Sequence, residues 1–403
     1  MKRKLFITVA GLIFFILSNS CYAQTDYHEP HRPQIHFSPR EHWMNDPNGM
    51  VYYNGIYNLF FQYYPKGNVW GPMHWGHAIS KDLIHWAEQP IALYPDSLGY
   101  IFSGSAVVDV NNTSGLGQNG KPPLVAVFTQ HDPEGEKAGT TTFQNQSIAY
   151  SNDAGKTWVK YKNNPVLKNP GIKDFRDPKV SWYENEKKWI MTLATYDRIT
   201  FFSSKDLRNW TKESEFGKDK GAHGGVWECP DLVPIIYQDK EVWVLLVSIN
   251  PGSPHGGSAT QYFIGQFDGH AFTSSQTETK WIDDGADDYA GVTWSNTGKR
   301  KIFFGWMSNW QYGTKVPTEK WRSAMTIPRE LSLEKINGNY FLRSLPITEL
   351  SAISVKQTNL TGEIQKDISY NGPIKLQLDL TLLDDFTIEL KNIKNERCMI
   401  GYE

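Results

Sequence analysis

The chain lacks the features that define several protein classes. Three cysteines in 403 residues exclude a disulfide-dense scaffold. With 41 Lys and Arg against 43 Asp and Glu, the net charge is -2, which gives no electrostatic footprint for nucleic acid or an anionic membrane. Aromatic residues, by contrast, make up 14% of the chain, which excludes intrinsic disorder. Because aromatic rings also stack on sugars, the composition points to an enzyme or a carbohydrate-binding protein.

One long apolar run, residues 5–17, follows a basic start at residues 2–4. It is too short to span a bilayer and small residues follow it, so we predict a secretory signal peptide over residues 1–23. The alternative is a lipoprotein signal lipidated on Cys21, but Ser18 occupies the place where such a signal wants an aliphatic residue. The mature protein would then be secreted or periplasmic, and no later segment resembles a membrane span.

Removal of the leader leaves two thiols, Cys229 and Cys398, too few for a disulfide framework. No cluster of Cys and His has the spacing of a zinc site. The four Asp residues between positions 283 and 288 lack the oxygen spacing of a calcium loop, so we interpret them as a solvated loop. We therefore expect no metal and no cofactor.

Strands dominate the predicted secondary structure. Runs of β-branched and aromatic residues are separated by turn signals such as Asn54-Gly55, and no amphipathic helix of three turns is predicted between residues 27 and 345. The clearest runs are residues 49–61, 101–109, 124–130, 189–195, 242–249 and 302–307.

A degenerate repeat recurs along these strands. Residues 80–86 resemble residues 204–210, and residues 151–158 are a looser copy. The spacing suits one four-stranded blade with loops, so we predict a propeller over residues 27–345. The pattern is also compatible with a simple turn closed by a buried ring.

Near residue 345 the composition changes. Aromatic residues become fewer, and the alternation at residues 374–380 is typical of a β-sandwich sheet. Residues 346–403 are too few for the roughly seven strands of a sandwich, so we predict an incomplete second domain. Its sheet would expose Leu376, Leu378 and Leu380.

Three carboxylates each lie in a short motif next to aromatic residues. Asp46 belongs to WMNDPNG, expected as a turn before the first strand; Asp177 belongs to a second turn, DFRDP; and Glu228 belongs to WECPD. Arg176 would keep Asp177 ionised, and burial of Glu228 would raise its pKa, as a general acid requires. Each motif alone is more simply a turn, a surface ion pair or a strand end. The three together are far more specific.

With these motifs, residues 30–345 resemble glycoside hydrolase family 32, the levanases, inulinases and invertases that act on β-fructosides. The family motifs WMNDPNG, FSGS, RDP, EC, FFGWM and AMTIPREL all occur here in family order. The resemblance implies an all-β fold, a five-bladed propeller with a funnel-shaped central site, followed by the start of a C-terminal sandwich.

The resemblance also implies the roles of individual residues. Asp46 would be the nucleophile, Glu228 the acid and base, and Asp177 the residue that holds two ring hydroxyls and favours an oxocarbenium-like transition state. Such a retaining mechanism needs the two reacting carboxyls about 5 Å apart. The residues that bind hydroxyls or wall the sugar pocket would be Trp43, Asn45, Gln62, Trp70, Phe102, Ser103, Arg176 and Trp306.

The sequence thus predicts an exo-acting β-fructosidase on levan- or inulin-type fructans. The alternatives are a sucrose-preferring invertase, an endo-acting levanase, or a fructan-binding protein without turnover, against which the three intact carboxylates argue. The loops around the funnel set the linkage preference and the exo or endo action, and a single sequence does not fix them or the oligomeric state.

Overall fold

A computed structural model of the protein describes residues 27–354 and 385–402. The chain divides into two compact units, with the division between Ser351 and Ala352. The predicted signal peptide and the three leucines at positions 376–380 lie outside the described residues. Within the described residues, no helix is both long and apolar enough to cross a membrane.

The first unit is a five-bladed β-propeller, which confirms the predicted fold class. Blade 1 consists of strands β1 (His42–Tyr53), β2 (Ile56–Tyr64), β3 (His74–Ser80) and β4 (Trp86–Leu93). Blade 2 consists of β5 (Tyr100–Val108), β6 (Leu124–His131), β7 (Gln144–Ser151) and β8 (Val159–Lys160). Blade 3 consists of β9 (Phe175–Tyr183), β10 (Lys188–Thr195), β11 (Ile199–Ser204) and β12 (Thr211–Phe216).

Blades 4 and 5 follow, and blade 4 includes two strands of two residues each. Blade 4 consists of β13 (Val226–Tyr237), β14 (Lys240–Asn250), β15 (Ala259–Phe267), β16 (Phe272–Thr273) and β17 (Lys280–Trp281). The strands that follow are β18 (Tyr289–Thr293), β19 (Ile302–Trp306), β20 (Trp321–Arg322), β21 (Arg329–Ile336) and β22 (Asn339–Pro346). Blade 5 uses all of these except β20, which joins blade 1. The helices of residues 27–354 are short: α1 (Pro133–Lys137) and the 3-10 turns Glu184–Glu186 and Thr348–Ile353.

Two contacts join the last blade to the first and close the ring. Strand β20 pairs with β1 in parallel, with Trp321 opposite His42. Ser295, which follows β18, exchanges backbone hydrogen bonds with Met50 and Tyr52 at 2.9 and 3.0 Å. A closed ring leaves no long unpaired edge between blades 1 and 5, which is the way propellers avoid exposed strand edges.

The sequence repeat is the turn between the third and fourth strands of blades 1 to 3. In blade 1, Leu83 has a positive φ of 66°, and its carbonyl accepts a 3.2 Å hydrogen bond from the Trp86 indole. The equivalent bonds join Trp158 to Gly155 and Trp210 to Leu207, both at 3.1 Å. The propeller interpretation and the simpler turn interpretation therefore both hold, because each of these three blades uses this turn.

The second unit is described only at its end. Strands β23 (Phe386–Lys391) and β24 (Arg397–Tyr402) form an antiparallel pair with Ile388 opposite Ile400. A pair of strands is too little to test the sandwich, so the assignment of residues 346–403 stays a prediction.

Candidate active site

The first strands of the five blades surround the axis, and each is irregular near its start. Strands β1, β5, β9, β13 and β18 contact one another in a ring. Each of the five pairings that these strands make with the second strand of their blade contains a register shift. A bulge twists a strand and re-aims its side chains, so five bulges at one end of the axis turn several side chains towards a single point.

The expectation that Asp46 and Asp177 belong to turns outside the strands is wrong. Asp46 lies within β1, in the shift between Met44 and Pro47, and Asp177 lies within β9 with a positive φ of 65°. Sequence preferences indicated turns because bulges and turns use the same residues. Gly49 illustrates the constraint: its φ is 52°, and a Cβ there would lie 2.7 Å from neighbouring rings.

Asp46 is held by two donors. Its Oδ1 accepts a 2.9 Å hydrogen bond from the Asn45 amide, and its Oδ2 accepts a 2.6 Å bond from the Ser103 hydroxyl. The indole of Trp43 in turn donates to Asn45 Oδ1 at 2.8 Å, which fixes the orientation of that amide. Burial raises the pKa of Asp46, and the bonds from Ser103 and Asn45 oppose that rise.

Asp177 is buried, and blades 2 and 4 hold it in place. Its backbone N–H donates to the Thr129 hydroxyl at 3.0 Å, and its Oδ2 accepts a 3.1 Å bond from the backbone N–H of Cys229. Burial raises its pKa to about 6, an effect that Arg176 opposes and Asp46 reinforces. The prediction that Arg176 keeps Asp177 ionised is therefore only partly right, since the guanidinium Nε is 3.9 Å away.

The guanidinium of Arg176 is hydrogen-bonded to Glu228 and Asp174. The Arg176 Nε and Nη2 donate to Glu228 Oε1 at 3.1 and 2.9 Å, and Nη1 donates to Asp174 at 2.5 Å. The Tyr289 hydroxyl donates to the other oxygen of Glu228. Burial nevertheless raises the pKa of Glu228 to about 7, with Arg176 opposing and the charges of Asp177 and Asp46 adding to the rise. The direction of this shift is the one expected for Glu228 from its motif.

The thiol of Cys229 lies between the two aspartates. Its Sγ is 3.6 Å from an oxygen of Asp46 and 3.6 Å from an oxygen of Asp177. Burial and the nearby carboxylates raise its pKa, so the thiol stays protonated and acts as a weak donor to both. The Cys229 thiol thus contacts both aspartates. It can do so because the bulge in β13 turns its side chain towards them.

The three carboxylates of Asp46, Asp177 and Glu228 line one cavity that is open to solvent, with a volume of about 360 Å³ including its open mouth. Nine of the eleven predicted site residues border it: Asn45, Asp46, Gln62, Trp70, Phe102, Ser103, Arg176, Asp177 and Glu228. Two lining residues that were not predicted, Tyr289 and Trp310, complete the wall.

The prediction that Trp43 and Trp306 wall the pocket is wrong. Both side chains have 0% exposure and lie behind the surface, with their ring centroids 6.0 Å apart. Trp310 covers them, stacked on Trp43 at 5.8 Å and packed on Trp306 at 4.9 Å. Trp306 belongs to the regular strand β19, whereas Trp310 follows it in a loop that reaches the cavity.

Asn309 fixes this loop. Its buried amide donates to the backbone carbonyls of Gly256 and Ala286 at 3.2 and 2.9 Å, and its Oδ1 accepts from the backbone N–H of Gln311 at 3.0 Å. It therefore ties the segment carrying Trp310 to two other loops.

Replacement of Asn309 by alanine should lower the free energy of unfolding by about 2–4 kcal/mol, because several buried backbone groups lose their partner at once. Urea denaturation followed by tryptophan fluorescence measures this change. The exposed Asn163 offers a matched control, and its alanine variant should differ from the parent by less than about 0.5 kcal/mol. Equal midpoints for the two variants would contradict the assignment.

The prediction of a solvated loop for the four aspartates is wrong for Asp288. Its side chain is 2% exposed, and burial raises its pKa to about 7, with Arg329 opposing at 3.6 Å. Asp288 directly precedes Tyr289, so the innermost strand of blade 5 draws it inward. Among the described residues, no group of three or more His, Cys, Asp or Glu side chains could hold a metal ion.

The sequence and the fold both match known proteins. Residues 36–344 match the sequence model of the glycosyl hydrolases family 32 N-terminal domain. The levanase of Bacillus subtilis (strain 168) is 52% identical over 375 residues, which cover 90% of this chain and 54% of the levanase. The extracellular exo-inulinase of Aspergillus awamori is 41% identical over 443 residues, covering 98% of this chain and 81% of the inulinase.

Solved structures agree with this match. The crystal structure of exo-inulinase from Aspergillus awamori gives a TM-score of 0.77 at 42% identity, covering 82% of this chain and 70% of that one. A fructofuranosidase from Schwanniomyces occidentalis complexed with fructosylnystose gives a TM-score of 0.73 at 41% identity, covering 78% and 62%. This chain thus spans only about half of the levanase, but more of the other two proteins.

Proposed function

The chain belongs to glycoside hydrolase family 32, and on this premise we propose that it is a secreted enzyme that removes terminal β-D-fructofuranosyl residues from levan- or inulin-type fructans. The observation that carries the proposal is that the carboxyl groups of Asp46 and Glu228 border one cavity and have different partners. Burial raises the pKa of both groups. Asp46 accepts hydrogen bonds from the neutral side chains of Asn45 and Ser103. Glu228 lies beside the guanidinium of Arg176, and its pKa is raised to about 7. Two carboxyl groups in one site, one of them with a pKa near neutrality, are what a glycosidase requires.

In the first proposed step, Asp46 attacks the anomeric carbon of the terminal fructosyl unit. Glu228 gives its proton to the glycosidic oxygen, so that the rest of the fructan leaves as an alcohol. The products are a fructosyl-enzyme ester on Asp46 and an ionised Glu228, which the guanidinium of Arg176 stabilises at 2.9 Å. The Tyr289 hydroxyl stabilises the same anion from the other side.

In the second proposed step, Glu228 acts as a base. It removes a proton from water, and the oxygen of that water attacks the anomeric carbon and releases Asp46. Two displacements at one carbon retain the configuration, so β-fructose is released first. The protonation states after this step are those before the first one, which closes the cycle.

Asp177 would bind two hydroxyls of the same ring and favour the positive charge that develops on it. Asp177 is buried, and its carboxylate accepts a hydrogen bond from the backbone N–H of Cys229. The carboxylate therefore keeps one orientation. Asn45, Gln62 and Ser103 would bind further hydroxyls, and the rings of Trp70 and Phe102 would form the wall, with their centroids 5.9 Å apart. These roles, together with a cleaved leader over residues 1–23, a propeller over residues 27–345 and a partial sandwich over residues 346–403, are part of the proposal.

The pH dependence of kcat/KM should be bell-shaped, because the free enzyme needs Asp46 ionised and Glu228 protonated. Activity should fall as the pH rises through about 7, where Glu228 loses its proton. It should also fall on the acid side, at a pH above the ordinary range of an Asp, because burial raises the pKa of Asp46. Initial rates from about pH 3 to about pH 9 measure both limits.

The control for this profile is incubation at each pH followed by assay at one fixed pH, which separates titration from unfolding. An alkaline limit near the ordinary Glu value of about 4.3 would contradict the role of Glu228.

The proposed activity is tested by incubating the protein with levan, inulin and sucrose and resolving the products by chain length. Exo action on a fructan releases fructose from the first minutes, whereas endo action releases oligosaccharides. Sucrose as the preferred substrate would favour an invertase. Binding of fructan without any release of fructose would identify a binding protein and overturn the proposal.

A further inference from the structure

Tyr196 is an exposed aromatic residue of blade 3, with 52% of its surface accessible. It lies in the hairpin between β10 and β11. Because β10 runs antiparallel to β9, the end of β10 lies beside the start of β9, where Arg176 and Asp177 are found. The hairpin therefore belongs to the same face as the cavity.

The backbone of Tyr196 is hydrogen-bonded on one side to the chain segment of Arg176 and on the other side to that of Glu228. Its N–H donates to the carbonyl of Asp174 at 2.8 Å, and its carbonyl accepts a 2.7 Å bond from the N–H of Trp227. Its φ is 66°, a left-handed conformation that is costly for an aromatic residue. Such a conformation persists only where the surroundings enforce it, as the two backbone hydrogen bonds do here.

No other aromatic ring among residues 27–354 packs against the ring of Tyr196. Within residues 27–354, it takes part in none of the ring–ring or cation–ring contacts, unlike Trp70, Phe102 and Trp310 in the cavity. The next two residues, Asp197 and Arg198, form a 2.8 Å ion pair that is partly exposed. An aromatic face with a few polar groups beside it is the usual composition of a site for a polar ligand with an apolar face, such as a sugar.

The position of Glu228 sets the side on which the leaving part of the substrate emerges. A general acid must reach the oxygen that it protonates, so the leaving chain lies next to Glu228. Tyr196 is bonded to the residue directly before Glu228 and to the residue two before Arg176. The leaving chain therefore passes over this part of the rim.

We propose that Tyr196 is a specificity-determining residue, a platform on which a sugar ring of the leaving fructan chain stacks. This inference rests on the proposed function and deepens it. Tyr196 does not border the cavity that holds the reacting carboxylates. The platform therefore serves the second or a later unit of the leaving chain, and sucrose, whose leaving group is a single sugar, does not reach it.

The test compares Tyr196→Asn with the parent enzyme. Asparagine tolerates the left-handed conformation and keeps both backbone bonds, so the change removes the ring and little else. The measured quantity is kcat/KM for fructan oligosaccharides of four or more units, divided by kcat/KM for sucrose. We expect this ratio to fall about three- to tenfold, mainly through KM, because one ring contact is lost.

Two further variants act as controls. Tyr196→Phe keeps the ring and should keep the ratio. Tyr94→Asn removes another exposed tyrosine, 54% accessible and outside the cavity lining, and should also leave the ratio at the parent value. Thermal unfolding checks that all three variants are folded.

The outcomes separate the two proposals. If the parent enzyme cleaves fructans and Tyr196→Asn leaves the ratio unchanged, the platform is wrong and the proposed function stands. An equal loss on sucrose and on the oligosaccharides would also overturn it, since that result indicates a general disturbance of the site. If the parent cleaves no β-fructoside, both proposals fail.

Discussion

An Asp46→Asn variant is expected to fold like the parent and to lose at least about 10⁴-fold in kcat, because an amide cannot form the fructosyl ester. The fold should survive because the local hydrogen bonds can be kept. An amide oxygen can still accept from Asn45, and the Ser103 hydroxyl, which now donates to Oδ2 at 2.6 Å, can turn and accept from the new NH₂ group.

The same substitution at Asp288 provides a matched control. Asp288 is also a buried aspartate with a raised pKa, but it does not border the cavity. Asp288→Asn should therefore retain turnover within about tenfold of the parent, since it removes no reacting group. The rate of fructose release measures the activity of both variants, and thermal unfolding checks that both are folded. Substantial activity in Asp46→Asn would show that another group is the nucleophile.

The sequence predicted three carboxylates that the structure brings to one cavity, because each lies in a short motif that resembles one of the family and that forms a local irregularity of a strand. A bulge needs particular residues at particular places, such as Gly49 with its positive φ, so the motif and the geometry are inseparable. The repeat that begins at Ser80 and Ser204 predicted blades for a similar reason. Each turn is closed locally, because its tryptophan indole donates a hydrogen bond to the backbone carbonyl three residues earlier.

The errors came from contacts between distant segments. Trp306 and Trp310 lie four residues apart in sequence, and only the loop held by Asn309 decides which of them reaches the cavity. Tyr289 gave no local signal, because its role depends on Glu228 in another blade. Asp288 is a further case. Four aspartates within six residues are typical of a solvated loop, and only the innermost strand that follows them places Asp288 in the interior.

The partner of Arg176 was also misjudged for a physical reason. Arg176 and Asp177 both border the cavity, but the guanidinium Nε lies 3.9 Å from the Asp177 carboxylate, which is beyond hydrogen-bond distance. The guanidinium instead reaches Glu228, 52 residues later, at 2.9 Å. This pairing places the positive charge where the proposed mechanism needs it, beside the group that alternates between acid and base.

Glu228→Ala should separate the two roles of that group. With sucrose or a fructan, whose leaving alcohol needs a proton, the loss should be about 10²–10⁴-fold, the usual contribution of general acid–base help. With a fructoside whose leaving group is already a weak base, the first step should survive, and the ester on Asp46 should accumulate because no base activates water. Mass spectrometry of the quenched enzyme detects that ester. Glu334→Ala, which removes a half-exposed carboxylate of β21, should behave like the parent.

Azide then tests the second step of the same variant. The anion needs no deprotonation, and truncation of the Glu228 side chain leaves room for it next to Arg176, whose positive charge has lost a partner. Added azide should therefore restore turnover of the activated fructoside and give a β-fructosyl azide, because two displacements retain the configuration. The anomer is assigned by nuclear magnetic resonance. An inverted azide would mean that the nucleophile attacked the substrate directly, and equal losses on both substrates would mean that Glu228 transfers no proton to the leaving group.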